Sequence, residues 1–133
     1  MTKISSLITY TPYKVEIHSP SGNTVIADEP KAMGGGDLGF SPKELLLSSL
    51  AACTSATVKM YADRKEWELE EVSLQMELIV DEKTRQSVID RKISFKGNLD
   101  EKQKSRLLSI ANACPIHRIL TNPIEINTEL EGS

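Results

Sequence analysis

Two cysteines, Cys53 and Cys114, are the side chains of this sequence best suited to chemistry. A cysteine reacts as its thiolate, so a reactive cysteine needs a nearby cation or several hydrogen-bond donors. No basic residue lies within one helical turn of Cys53, so its stabilising group must come from elsewhere in the fold or from a second subunit. The alternative interpretation of Cys53 is a small core residue, because free cysteine is among the most buried residue types.

The second cysteine is followed closely by two basic residues, His117 and Arg118. Cys114 itself stands at a helix break, where a thiol is accessible and can move. If the two cysteines meet in the fold, His117 and Arg118 are the best candidates to lower a thiol pKa or to orient a substrate. The alternative is ordinary helix-end chemistry, with Arg118 paired to a surface carboxylate and His117 exposed.

Two other kinds of cysteine chemistry fit the sequence less well. Cys114 and His117 have the Cys-x2-His spacing of zinc ligands, with Cys53 as a third, but no fourth ligand and no Cys-x2-Cys pair stand out. A Cys53–His117 dyad for acyl transfer lacks a visible third orienting residue and an oxyanion-hole motif. We therefore expect neither a metal nor another cofactor.

Bulk composition narrows the class of protein. The chain has 133 residues, 39% hydrophobic and 26% charged, which predicts one soluble globular domain over residues 1–133. A net charge of -3 with scattered Lys and Arg argues against nucleic acid as a partner. Residues 1–10 lack a signal-peptide core, and residues 45–62 carry too many Ser and Thr for a membrane span. We expect a cytoplasmic protein, where paired cysteines are more often catalytic, redox-sensing or metal-binding than structural.

The Cys53 segment has the signature of a long buried helix. Ser41 to Glu44 form a capping box with proline at the first helical position, and the helix is predicted to reach Arg64. The capping box gives Glu44 a structural role at the start of the helix. Without the box, Glu44 would be a candidate functional acid. The first half of the helix is apolar on nearly every side, and a homodimer with packed central helices would cover it. The preceding Gly34–Gly36 run favours close chain approach over a phosphate loop.

The remaining patterns predict an α+β fold with antiparallel sheet. In the second long strand, Ile89, Lys92 or Ile93, and Phe95 are the candidates for burial. The helix after it should face inward with Leu107, Leu108, Ala111 and Ile110. The predicted strands are 4–9, 13–19, 24–28, 69–80, 88–99 and 124–130, and the further helices are 100–113 and 116–120.

Both cysteine segments resemble those of a known family. Ser41-Pro-Lys-Glu-Leu-Leu-Leu-Ser-Ser-Leu-Ala-Ala-Cys53-Thr resembles the first cysteine motif of the OsmC/Ohr family of bacterial peroxide-defence proteins, and Ala111-Asn-Ala-Cys114-Pro-Ile-His-Arg-Ile-Leu120 resembles the second. The loop 34–40 also fits, and the order of elements agrees over essentially the whole chain.

The resemblance implies a fold and a reaction. The fold is an intertwined homodimer, with antiparallel sheets wrapped around two long central helices and two active sites at the subunit interface. Cys53 would reduce a hydroperoxide and become a sulfenic acid. Cys114 would resolve it as a disulfide, and a dithiol (a small thiol, a lipoyl group or a thioredoxin-like protein) would restore both thiols. These are antioxidant, stress-response functions.

The chain departs from the family pattern at the two residues, an Arg and a Glu, that activate the thiolate in other members. Strong peroxidases of the family carry an Arg in the N-terminal strand region, where this chain has Lys14 and no Arg before Arg64. They carry a Glu where this chain has Lys43, with Glu44 one residue further on. Lys14, Glu44, His117 and Arg118 are therefore the candidates for thiolate activation or substrate orientation. The departures also leave open a dimeric binding protein for a small hydrophobic or thiol ligand, and a peroxide sensor with little turnover.

Overall fold

The computed structural model describes residues 1–132. They fall into two compact units, Met1–Ser48 and Ser49–Ser133, which are described separately below. The boundary lies inside the long helix that carries Cys53. The assignment of residues 1–133 to one domain stays a prediction.

The first unit holds a three-stranded antiparallel sheet of β1 (Ser5–Ile8), β2 (Val15–His18) and β3 (Thr24–Ala27), in that order. β2 and β3 form the predicted hairpin, with Val15 opposite Ala27. In the turn, the backbone N–H of Asn23 donates to Ser19 Oγ at 3.0 Å. This is the polar turn chemistry that the sequence predicted between the two strands.

A buried carboxylate, Asp28, organises the glycine loop after β3. Its two oxygens accept from four backbone N–H groups, those of Tyr13, Glu29, Gly36 and Leu38. Burial raises the pKa of Asp28, but these four hydrogen bonds outweigh it and hold the pKa below its usual value. A Cβ on Gly35 would lie 2.1 Å from the carbonyl oxygen of Glu29, so the expected close chain approach is confirmed.

The long helix α1 (Pro42–Arg64) begins as predicted. The Ser41 backbone N–H donates to Glu44 Oε1 at 2.8 Å, and the Glu44 backbone N–H donates to Ser41 Oγ at 3.3 Å. The first half of α1 is not buried on every side in the single chain, where Leu46 is 40% exposed, and its cover by a second copy stays a prediction. Only one stripe of α1 is buried, because one hairpin and one further helix cover a single face of it. The buried residues of this stripe are Leu50, Thr54, Val58 and Ala62.

Within residues 1–132, α1 alone is long and apolar enough to cross a membrane, judged by length and composition. The sequence argument that residues 45–62 are too polar for a span therefore does not hold on composition. Core helices of soluble proteins have the same property, and Val58 and Ala62 of α1 belong to a packed core.

The second unit is built on a long antiparallel hairpin of β4 (Glu68–Val80) and β5 (Ser87–Asn98), as predicted. It continues into α2 (Glu101–Ala111), whose N-terminus is capped by Asp100. Residues of α1, β4 and α2 form the core: Val58, Ala62, Leu69, Leu107 and Ala111. On β5, Ile93 and not Lys92 faces this core. Leu108 is 50% exposed, so its predicted burial is wrong, since it lies about 100° around α2 from Leu107.

The chain ends with α3 (Pro115–Leu120), which starts at the predicted proline. The predicted strand 124–130 is not formed, and Ile126 and Leu130 are 81% and 96% exposed. A strand needs a neighbouring edge for its backbone hydrogen bonds, and within residues 1–132 this segment pairs with none. The alternating apolar pattern of this segment therefore does not lead to a strand within residues 1–132.

Candidate active site

The fold brings Cys53 and Cys114 together. Cys53 lies in the middle of α1 and is half-buried, whereas Cys114 immediately precedes α3 and is fully buried. The Cys53 thiol lies near Cys114 and contributes to a lowered pKa of Cys114. Both thiols are free. The expectation that the helix break makes Cys114 accessible is wrong, because the start of α3 folds its thiol inward. The two sulfur atoms are thus neighbours of unequal accessibility.

Hydrogen-bond donors converge on the Cys114 sulfur. The His117 backbone N–H donates to it at 3.4 Å, and the Thr54 hydroxyl oxygen lies 3.7 Å away. Burial is the largest single influence and raises the pKa of Cys114. The donors, including Cys53, together with the positive charge of Arg91, outweigh burial and lower the pKa below its usual value. Cys114 is therefore more readily ionised than its burial alone suggests.

Arg91 on β5 connects the elements around this sulfur. Its Nη1 donates to Thr54 Oγ1 at 2.8 Å, and its Nη2 donates to Asn112 Oδ1 at 2.9 Å. Nη2 also lies 3.2 Å from His117 Nδ1. Because a guanidinium only donates, His117 Nδ1 must accept, which places the proton of the neutral imidazole on Nε2. One side chain thus joins α1, the end of α2, and α3.

Sequence reasoning missed Arg91, although β5 carried a signal for it. Side chains alternate across a strand, so Arg91 shares a face with the half-buried Ile89, Ile93 and Phe95. A charged residue inside an apolar period-two stripe needs a polar partner when it is buried. That argument marks Arg91 as a site candidate, but the partner itself lies far away in the sequence.

The other three predicted activating residues are Lys14, Glu44 and Arg118. Arg118 is exposed on α3, while Lys14 immediately precedes β2 in the first unit. Glu44 is engaged with Ser41, whose backbone N–H and hydroxyl hold the pKa of Glu44 below its usual value against a smaller effect of burial. Activation by Lys14, Glu44 or Arg118 stays a prediction, whereas His117 does join the cysteine cluster.

A cavity of about 200 Å³ opens beside the cluster. Its polar lining includes Arg91 and His117 together with two hydroxyl side chains, and three aliphatic side chains form the rest of the wall. Its lining residues are Leu50, Ser87, Ile89, Arg91, His117, Leu120 and Thr121. A small molecule with one polar end and a short apolar body fits this chemistry. In the part of the chain that the structure describes, no three His, Cys, Asp or Glu side chains converge as metal ligands would.

Comparison with known proteins agrees with this fold. The family model described as OsmC-like protein matches residues 34–129. A Psychrobacter arcticus protein whose name refers to osmotic stress induction and a detoxification response is 25% identical, with a TM-score of 0.74 over 86% of this chain and 85% of that one. An OsmC-like protein from Mycoplasma pneumoniae is 20% identical, with a TM-score of 0.77 over 91% and 87%.

The organic hydroperoxide resistance protein OhrB of Bacillus subtilis is also similar. It is 22% identical, with a TM-score of 0.61 over 90% of this chain and 89% of that one. No curated protein sequence matches the chain significantly. Since the family model covers well over half of the sequence, the chain belongs to the OsmC/Ohr family, as its two cysteine motifs predicted.

Proposed function

We propose that this protein is a thiol peroxidase that reduces organic hydroperoxides or hydrogen peroxide. The Cys53 thiolate attacks the terminal peroxide oxygen, the O–O bond breaks, and the alcohol or water leaves with a proton. The peroxide gains the two electrons that the Cys53 sulfur loses as it becomes a sulfenic acid. The observation that carries this proposal is the close approach of two free thiols of unequal accessibility within one polar cluster.

Accessibility supports Cys53 as the attacking cysteine and Cys114 as the resolving one. Cys53 is half-buried, so a small peroxide can approach it, whereas Cys114 is fully buried. Cys114 lies beside Cys53 and can attack its sulfenic acid to form a disulfide. A dithiol reductant then exchanges with this disulfide and restores both thiols.

The cavity supports a small, partly apolar substrate. Leu50, Ile89 and Leu120 offer aliphatic surface next to the Arg91 and His117 side chains. A peroxide with a short hydrocarbon body would place its polar end toward these two residues. The similar Bacillus subtilis protein is named for resistance to organic hydroperoxides, which supports the same substrate class here.

We extend the proposal to a cytoplasmic homodimer. Much of α1 is apolar yet uncovered in the single chain, and within residues 1–132 no strand pairs with the alternating segment 124–130. A second copy packed against these features would cover them, as the resemblance implies. The cytoplasm is the compartment in which dithiol systems keep both cysteines reduced between turnovers.

The test of the function is peroxide consumption by the wild-type protein and by Cys53→Ser, each with excess dithiol. The wild type should consume an alkyl hydroperoxide catalytically, and Cys53→Ser should show only the background rate, because a hydroxyl at this position is not ionised near neutral pH. Equal, slow consumption by both proteins would refute the proposed activity. Hydrogen peroxide, assayed in parallel, reports which substrate is preferred.

The cavity also favours a second candidate function, the binding of a small ligand without turnover. Its apolar wall and its Arg91–His117 end would suit an amphipathic molecule or a thiol compound. Native mass spectrometry of the purified protein distinguishes the two functions. A stoichiometric bound molecule in a protein that does not consume peroxide would favour the binding function.

A further inference from the structure

Polar groups from α1 and α3 converge on the sulfur of Cys114, the cysteine that is fully buried. We propose that Thr54, held by Arg91, donates its hydroxyl hydrogen to Cys114 and prepares this resolving cysteine to attack oxidised Cys53. Thr54 touches a reacting sulfur, whereas Arg91 acts through Thr54 and is a positioning residue. This inference rests on the proposed function and assigns a specific task to the Arg91 network.

Hydrogen-bond geometry sets the direction of the Thr54 hydroxyl. A hydroxyl carries one hydrogen and two acceptor lone pairs. Arg91 Nη1 donates to Thr54 Oγ1 at 2.8 Å and so occupies one lone pair. The hydroxyl hydrogen remains for the sulfur of Cys114 at 3.7 Å. The positive charge of Arg91 also polarises the hydroxyl, which makes it a better donor to a thiolate.

The other groups around the Cys114 sulfur act in the same direction. They are the thiol of Cys53 on α1, the guanidinium of Arg91 on β5 and the backbone N–H of His117 on α3. The His117 ring accepts from Arg91 through Nδ1 and so helps to hold the guanidinium in place. Each of these groups favours a negative charge on Cys114.

The step that this arrangement serves is disulfide closure. The Cys114 thiolate attacks the sulfur of the Cys53 sulfenic acid, the S–S bond forms, and the S–O bond breaks. The departing hydroxide takes a proton and leaves as water. Rapid closure removes the sulfenic acid before a second peroxide can oxidise it to sulfinic acid, which thiols do not reduce. The Thr54–Arg91 pair would thus determine how well Cys53 resists over-oxidation to the sulfinic acid.

The experiment measures closure without peroxide, so that it can fail separately from the proposed function. An aromatic disulfide, dithiobis-nitrobenzoate, reacts first with the more accessible Cys53 and releases one coloured thiolate. Attack by Cys114 on the resulting mixed disulfide releases a second one, in a phase that does not depend on reagent concentration. Cys53→Ser should show neither phase on this timescale, because Cys114 is buried.

The second phase is followed against pH in wild type, Thr54→Val, Thr54→Ser and the control Ser55→Ala. Loss of one hydrogen bond to a charged sulfur should move the Thr54→Val profile up by about one pH unit. A more basic thiolate is also intrinsically more nucleophilic. Thr54→Val should therefore close about threefold more slowly at pH 7 but about threefold faster on the high-pH plateau. Thr54→Ser and Ser55→Ala should follow wild type.

Crossing pH profiles support the inference, since loose packing alone would slow closure at every pH. Coincident profiles for Thr54→Val and wild type would overturn it, as would a uniform loss of rate that Thr54→Ser does not rescue. If Thr54→Val does not fold, Arg91→Lys is measured instead. Lys lacks the planar fork that reaches several acceptors, so its profile should shift the same way. An unshifted Arg91→Lys profile would equally overturn the inference.

Discussion

Replacing Cys114 with serine is expected to stop the reaction at oxidised Cys53. The two sulfurs are neighbours in the fold, so closure is an intramolecular step, whereas an external thiol must reach a half-buried sulfenic acid by diffusion. A neighbouring group acts at an effective concentration far above that of a millimolar thiol. The Cys53 sulfenic acid should therefore persist at least roughly a hundredfold longer in Cys114→Ser than in wild type.

Trapping with dimedone, which reacts with sulfenic acids, measures this lifetime after a single equivalent of alkyl hydroperoxide. Cys114→Ser should give a dimedone adduct on Cys53, and further peroxide should convert the unlabelled protein to sulfinic acid. Wild type should give little adduct, and Cys53→Ser should give none. A dimedone adduct of the same yield in wild type and Cys114→Ser would mean that Cys114 does not resolve Cys53.

Replacing Arg91 with methionine is expected to weaken both the fold and the site. Arg91 makes its three hydrogen bonds from a half-buried position, to Thr54, Asn112 and His117. Methionine keeps the apolar stem but leaves these groups without their shared partner. The free energy of unfolding should fall by about 2 kcal/mol, which corresponds to a melting temperature lower by roughly 7 °C.

The matched control for Arg91 is Lys92→Met, one residue further along β5. Lys92 is exposed on the opposite face of the strand, so its loss removes one positive charge without touching the cysteine cluster. Thermal denaturation of both variants measures the difference, and Lys92→Met should stay within about 0.5 kcal/mol of wild type. Equal stability of Arg91→Met and Lys92→Met would show that the Arg91 network contributes little to folding.

Local signals in the sequence predicted much of the fold. The capping box fixed the start of α1, the alternation of residues 69–80 predicted β4, and Pro115 predicted the start of α3. These features depend on residues a few positions apart, where backbone preferences and side-chain caps act directly. The pairing of Cys53 with Cys114 came instead from the resemblance of two motifs, since spacing alone cannot show that distant cysteines meet.

What the sequence did not predict depends on partners distant in the chain. Arg91 meets Thr54 only after the hairpin packs on α1, and Asp28 meets the glycine loop only after β3 is placed. The wrong prediction of a strand at 124–130 has a related cause. Alternating apolar residues indicate that a segment can form a strand, but they do not show that a sheet edge is available to pair with it. Likewise, the apolar sequence of α1 predicts that the helix is buried, but the single chain buries only one of its faces.

The most direct measurement of the central claim is a non-reducing peptide map of the wild-type protein after one equivalent of alkyl hydroperoxide. Trypsin should release residues 44–59 and 107–118, which contain Cys53 and Cys114. If Cys53 and Cys114 are a catalytic pair, these peptides should appear joined by a disulfide and should separate again after treatment with a dithiol. Free thiols on both peptides, or Cys53 oxidised to sulfinic acid beside an untouched Cys114, would contradict it.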